Sequence, residues 1–193
     1  MPAEPRPRLA LVRHAQTAWT GRRYCGRSDP PLSEAGRRAA FRLSVGLAAD
    51  FGPRPQIISS PRARAVQTAA IIADSIGAPV DIDERWREAD FGLAEGRTFD
   101  ELVVDQPDLA ARLLAGDVAI DWPGGEAAAA LEARVLAALG DLSGADRPTI
   151  VVAHAGPLRI AIAAMTGSPN ADVPLPASAE VVWLYGSRAT LRP

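Results

Sequence analysis

The sequence predicts an α/β layer fold with a mostly parallel sheet. Short apolar runs of strand length alternate with amphipathic helical stretches along the chain. Gly and Pro punctuate the joins. No repeat, low-complexity tract or linker divides the 193 residues, so one domain is expected over 1–193.

The elements follow in order. Residues 1–7 read as a flexible tail. Leu9–Val12 is an apolar run that ends in Arg13-His14, as a buried strand with polar residues at its carboxyl end would. Residues 15–32, with Gly21, Gly26, Pro30 and Pro31, form a long loop. Ser33 caps a helix to about Ala49, with Ala40, Phe41, Leu43 and Leu47 on its apolar side. Gln56–Ser59 is a strand. Ser60 caps the next helix with Pro61 in its first turn, and Ala65, Ala69, Ile72 and Ile76 make its apolar stripe up to Gly77. Pro79–Ile82 is a third strand. Short helices fall near Phe99–Val104 and Leu109–Leu114. Pro123-Gly124-Gly125-Glu126 precedes a helix over Ala127–Leu142. Thr149–Ala153 is a strand ending in His154, Gly156–Met165 a helix stopped by Gly167, and Glu180–Tyr185 and Ala189–Arg192 are closing strands.

Composition narrows the function. At 48% hydrophobic and 23% charged residues, the chain has the make-up of a globular domain. The net charge of -2 argues against broad nucleic-acid binding. One cysteine, Cys25, excludes a disulfide framework and a cysteine zinc site. No apolar run is long enough for a signal peptide or a membrane span, so the cytoplasm is expected and no membrane partner. All 21 basic residues are arginine, which excludes a lysine Schiff base and a P-loop lysine.

The two histidines, His14 and His154, each directly follow an apolar strand. Ligands of open parallel sheets bind beyond the carboxyl ends of the strands, so neighbouring strands would aim both imidazoles into one crevice. Arg13 beside His14 suits an anion clamp, because a guanidinium fork matches phosphate oxygens. Arg64 lies in the first turn of a helix that opens just after a strand, where backbone N–H groups attract anions; Arg62 reads as a solvated charge. Glu88 in such a pocket can serve as a general acid. Together these five residues, Arg13, His14, Arg64, Glu88 and His154, make an arginine-lined cup for phosphate around a histidine nucleophile. The arginines are expected to lower the histidine pKa and keep the ring nucleophilic.

The motifs resemble those of the histidine phosphatase superfamily, also called the phosphoglycerate mutase-like family. They run in order: Arg13-His14-Ala15-Gln16-Thr17, Ser60 to Thr68, Arg87-Glu88 before Phe91-Gly92 and Glu95-Gly96, Pro123 to Glu126, and His154-Ala155-Gly156. The resemblance implies a three-layer α/β/α sandwich, His14 as nucleophile, Glu88 as acid and base, Arg13, Arg64 and His154 around phosphate, and no metal or other cofactor. Ala15 and Ala155 stand where glycine is commoner, and Thr20 stands where many members carry a phosphate-binding Asn.

Within that family the segment after Glu88 lacks the lysine and arginine pair of the mutases, carrying only Arg97 and Arg112, which favours a phosphatase. The loop from Tyr24 to Leu32 resembles that of alpha-ribazole phosphatases. On this reading Thr17, Thr20, Ala155 and the backbone N–H groups of Cys25 and Gly26 face substrate, and Arg27, with Arg22 and Arg23, adds charge at the mouth. Trp86 and Trp122 flank motifs and are candidates to stack on a substrate ring. The expected partner is a small phosphorylated metabolite, and the expected state a monomer or a homodimer through the sheet edge near Glu180–Tyr185. The alternatives are a phosphoglycerate mutase-type transferase, a non-catalytic phospho-ligand module, and a metallohydrolase, for which no dense ligand cluster is visible.

Overall fold

The computed structural model describes residues 9–51, 55–142, 147–173, 176–185 and 188–192; the expected tail and the side chain of Trp183 lie outside the described part. Six strands form one sheet: β1 (Leu9–Arg13), β2 (Gln56–Ser59), β3 (Val80–Ile82), β4 (Thr149–Ala153), β5 (Val181–Tyr185) and β6 (Arg188–Arg192), in the order β3-β2-β4-β1-β5-β6. The first four in that order run parallel, and β5 and β6 are antiparallel additions.

The apolar runs are strands because both their faces are covered. Ala10, Val12, Ile57, Ile150 and Val152 point to one side, against Leu47 and Phe51 of α1 (Glu34–Phe51) and Ala65, Ala69 and Ile72 of α2 (Ala63–Ile76). Leu9, Leu11, Ile58, Val151 and Ala153 point to the other, with Val135, Ala138 and Leu139 of α5 (Ala128–Leu142) and Leu158 and Ala161 of α6 (Ala155–Thr166). The result is a three-layer α/β/α arrangement. α3 (Phe99–Asp105) and α4 (Pro107–Leu114) instead share a small cluster of their own, Ala94, Leu102, Leu109, Ala110 and Ile120. Gly77 and Gly167 end α2 and α6 in the left-handed conformation, which costs glycine nothing.

Three local expectations are corrected. α2 starts at Ala63, not at Ser60; Arg62 is its N-cap without a side-chain bond, and the Ala63 N–H is taken by Asp29 Oδ1 at 2.6 Å. Phe41 is 59% exposed, because the buried face of α1 runs through Gly36, Ala40, Ser44 and Leu47, one position away. Ser44 reaches across that face to Ser75 at 2.6 Å between hydroxyl oxygens. The Glu180–Tyr185 region is not a sheet edge, since β5 lies between β1 and β6.

Candidate active site

β2, β4 and β1 are adjacent and parallel, so the residues just past their carboxyl ends meet. These are Ser60, His154 and His14. Arg13 pairs with Ala153 in register, and the two imidazole centroids lie 5.0 Å apart. The expected crevice between neighbouring strands is present, and both rings are buried.

His14 Nδ1 lies 2.8 Å from the Ala15 carbonyl oxygen. A carbonyl only accepts, so Nδ1 carries the proton and Nε2 presents its lone pair. The Ala15 N–H is in turn held by Thr68 Oγ1 at 3.0 Å, and that hydroxyl donates to the Arg64 carbonyl at 2.7 Å. Thr68 therefore ties the two arms of the cup together. His154 Nε2 is 2.7 Å from Ser60 Oγ. Ser60 thus orients the second histidine and does not cap α2.

Arg64 is 1% exposed. Its Nη1 donates to Ser28 O at 2.8 Å, and its Nη2 to Cys25 O at 2.9 Å and Gly26 O at 3.1 Å. Arg13 Nη1 donates to Pro176 O at 2.8 Å. Among the described residues neither is paired with a carboxylate, and both line the cup. Arg13 Nε, Arg64 Nε, His154 Nδ1 and Arg62 Nε are buried without an acceptor among the described residues. The sequence reads Arg62 as a solvated charge, but that charge also acts on His154. It precedes the first turn of α2, so helical periodicity says nothing about where it points.

Burial holds His14 down to about 3, with Arg64 and then Arg13 adding to the effect and the Ala15 carbonyl opposing it. The arginines act as expected, but desolvation is the larger cause. Burial likewise puts His154 well below its usual value, with Arg64 next. Glu88 is buried, and that burial raises its carboxyl against the pull of Arg64 and Arg13. Its Oε1 accepts the Ala89 N–H at 3.1 Å, and the Gly156 N–H also donates to the carboxyl. A Cβ on Gly156 would fall 2.6 Å from Glu88 Oε1, so only glycine allows this approach. Behind Glu88, Arg134 of α5 grips both oxygens of Glu126 at 2.8 Å and donates to the carbonyls of Arg85 and Arg87 at 2.7 Å. The Pro-Gly-Gly-Glu motif thereby fixes the segment that delivers Glu88.

The cup is lined by Arg13, His14, Thr17, Thr20, Cys25, Arg64, Glu88 and Ala155. Thr20 Oγ1 accepts the Thr17 N–H at 2.9 Å. The Cys25 thiol donates to Ser28 O at 3.4 Å, and burial pushes it up to about 11, so it stays protonated. Gly26 and Arg27 do not line the cup. Their N–H groups go to Glu95 Oε1 at 3.0 and 2.7 Å, the Ser28 N–H and hydroxyl go to Oε2 at 3.2 and 2.7 Å, and the Arg27 guanidinium sits 3.6 Å from Asp90. Glu95 is the anion this loop binds. Arg23 lines the cup but donates to Gly96 O at 2.6 Å and sits 3.5 Å from Glu101.

Beyond Glu88 a second cavity of about 380 Å³ opens, sharing Tyr24, Glu88, Phe91 and Ala155 with the cup. Trp122 lines it and packs on Phe91 at 4.3 Å between centroids. Trp86 is fully buried in the sheet core, which removes it as a stacking candidate. Among the described residues no cluster of His, Cys, Asp and Glu has the make-up of a metal site, and no helix is long and apolar enough to cross a membrane.

The family model described as "Histidine phosphatase superfamily (branch 1)" matches residues 9–186. A Salmonella paratyphi C protein named "Probable phosphoglycerate mutase GpmB" is 36% identical over 163 residues, 82% of this chain and 74% of the relative. The structure of a mycobacterial glucosyl-3-phosphoglycerate phosphatase superposes with a TM-score of 0.80 at 30% identity, covering 97% of each chain. An Escherichia coli structure, named provisionally as an alpha-ribazole-5'-P phosphatase, gives a TM-score of 0.80 at 25% identity, covering 97% of this chain and 95% of the other.

Proposed function

The chain belongs to the histidine phosphatase superfamily, and from that premise we propose that it is a metal-independent phosphomonoesterase working through phosphohistidine. The observation that carries the reading is His14 itself. Its Nδ1 is pinned to the Ala15 carbonyl, which leaves Nε2 to present the lone pair, beside two arginines that pair with no carboxylate among the described residues, and Glu88, whose burial favours its protonated form, lines the same cup.

The ester phosphate enters the cup, with its oxygens facing Arg13 and Arg64, while His154 stands fully buried beside His14 and not in the cup wall. His14 Nε2 attacks phosphorus as the bond to the leaving oxygen breaks, and Glu88 gives that oxygen its proton. The arginines balance the charge on the equatorial oxygens of the loose transition state. The alcohol departs, and water takes its place. Glu88, now a carboxylate, removes a proton from the water as its oxygen attacks phosphorus. The N–P bond breaks, phosphate leaves, and His14 and Glu88 regain their starting protonation.

The 36% identical mutase relative favours a second reading, phosphoryl transfer on phosphoglycerate. That reaction must anchor the substrate carboxylate. Of the arginines beyond Glu88, Arg97 and Arg112 are engaged elsewhere, with Asp105 at 3.0 Å and Asp117 at 2.8 Å, and the cavity wall that holds Arg159 is mostly apolar, a poor fit for a phosphoglycerate. Hydrolysis is therefore preferred.

The test is phosphate release, with EDTA present, from a panel holding an aryl phosphate, sugar phosphates, nucleotides, 3-phosphoglycerate and alpha-ribazole 5'-phosphate. The last is included for the resemblance of the Tyr24–Leu32 loop. Release that is EDTA-resistant and lost in His14→Ala supports the phosphatase. Turnover of 3-phosphoglycerate only with a bisphosphoglycerate primer supports the mutase. Phosphate binding with no turnover at all supports a non-catalytic module, and loss of activity to EDTA overturns the metal-independent mechanism.

A further inference from the structure

The phosphate cup accounts for Arg13 and Arg64 but not for Arg159. This residue sits one turn into α6, in the wall of the cavity beyond Glu88. Its guanidinium is partly buried, its Nε has no acceptor, and among the described residues it forms no ion pair. Burial disfavours its charge, and Glu88 supplies the opposing pull. The other acids of the cavity do not answer it: Asp117 is engaged by Arg112, and Glu132 lies on the exposed rim. A partly desolvated guanidinium without a partner is costly in a folded protein and is normally satisfied.

The surroundings say what kind of partner fits. The remaining wall is mostly apolar, with Phe91, Leu113, Ile120, Trp122, Leu131 and Ile160. A cavity of ~150 Å³ with such a lining holds a benzene ring, so about 380 Å³ has room for a ring with substituents. Asn170 Oδ1, also at this wall, is buried without a donor among the described residues. The cavity meets the cup at Glu88, where the leaving oxygen must lie to receive a proton, so whatever leaves the phosphate extends into this space.

We infer that Arg159 anchors an acidic group on the substrate's leaving portion, and that the substrate class is a phosphomonoester of a ring-bearing, largely apolar alcohol or phenol carrying a carboxylate. The inference rests on the phosphatase reading for its account of which part of the ligand enters the cavity. A guanidinium grips a carboxylate through two parallel N–H donors, and the apolar walls strengthen that bond by keeping water away. A small polar ester such as phosphoglycerate would leave these walls unfilled, and a neutral leaving group would leave Arg159 unanswered.

Binding and turnover separate the two claims. The probes are arylmethyl phosphonates, which cannot be hydrolysed, in pairs with a carboxylate or its carboxamide at the para, meta or carboxymethyl position. Calorimetry is run on the wild type, Arg159→Gln and Arg159→Lys. At one position or more the acid should bind the wild type at least tenfold tighter than its amide. That ratio should fall to near one in Arg159→Gln and recover in part in Arg159→Lys. Because the ratio is taken within each protein, general loosening of the fold cancels. Equal binding of every acid and amide by the wild type, or a preference that survives in Arg159→Gln, overturns the inference. Hydrolysis of the matching aryl phosphates is scored separately. A binding preference without hydrolysis retains Arg159 as the anchor and removes the phosphatase.

Discussion

Glu95 and Arg64 hold the same stretch of backbone from opposite sides. The Glu95 carboxylate collects the N–H groups of Gly26, Arg27 and Ser28, while the Arg64 guanidinium collects the carbonyls of Cys25, Gly26 and Ser28. The loop is thus a polarised bridge between a carboxylate outside the cup and a cation inside it. Its carbonyls can fix Arg64 only while its amides are held.

Glu95→Ala should therefore reduce kcat/KM by about 10–100-fold without touching substrate, since loss of positioning around a charge-stabilising donor approaches loss of the donor. Glu95→Gln keeps one acceptor oxygen and should recover part of the loss. Steady-state kinetics of both variants with one aryl phosphate checks this; a change under threefold in Glu95→Ala would show that Arg64 needs no such support.

Arg64→Ala removes the donor itself and should cost on the order of 10²–10³ in kcat. His14→Ala should abolish both turnover and acid-labile labelling by radioactive phosphate ester. Retained labelling in His14→Ala would move the nucleophile elsewhere.

Glu88→Gln should slow alkyl phosphates far more than nitrophenyl phosphate, because nitrophenolate leaves without a proton. The pH profile should follow the same logic. His14 is held down to about 3, so the acid limb of kcat/KM in the wild type should lie well below pH 6.5. Burial raises Glu88, so activity on alkyl esters should fall as pH climbs through a value above the usual 4.5 and the acid is lost. Equal losses for the two ester types in Glu88→Gln would take the general acid role away from Glu88.

Gly156→Ala places a methyl group 2.6 Å from Glu88 Oε1. Overpacking of this kind costs about 1–3 kcal/mol, and Glu88 must move to relieve it. The urea midpoint should fall and alkyl phosphatase activity should fall with it. Unchanged activity at reduced stability would mean that Glu88 tolerates displacement.

Both histidines are kept neutral in the folded state, His14 down to about 3 and His154 well below 6.5. An unfolded chain protonates them near 6.5, so the unfolded state binds more protons as pH drops below that value. Stability present above pH 6.5 is lost on acidification, by about 1.4 kcal/mol per histidine per pH unit until the folded pKa is reached. Glu88, with its raised pKa, contributes in the opposite direction and is common to the proteins compared. Urea midpoints between pH 6.5 and 5.5 should fall in the wild type and stay flatter in the His14→Asn, His154→Asn double variant. Parallel slopes would place the acid sensitivity in other groups.

The strand ends were legible in the sequence because an apolar run followed by a polar residue has one physical meaning in a parallel sheet. His14 and His154 meet where that rule puts them, with ring centroids 5.0 Å apart. The allegiance of the Tyr24–Ser28 loop was not legible. Its amides looked free for a ligand, and nothing local to the loop marks Glu95, 69 residues beyond Gly26, as their acceptor. Ser60 was misplaced for a similar reason. A serine before a proline reads as a cap, but the stronger acceptor or donor was His154, 94 residues away. Arg159 carried no local signal at all, since an arginine on a helix is ordinarily solvated.

α3 and α4 pack around their own small cluster, apart from the two cores that flank the sheet, and Leu113 and Ile120 from that lobe wall the cavity beyond Glu88. The shape of the chamber beyond Glu88 and the aim of His14 are thus set by different packing units. Substitutions in the lobe can reshape the chamber for the departing alcohol at little expense to the scaffold that aims His14.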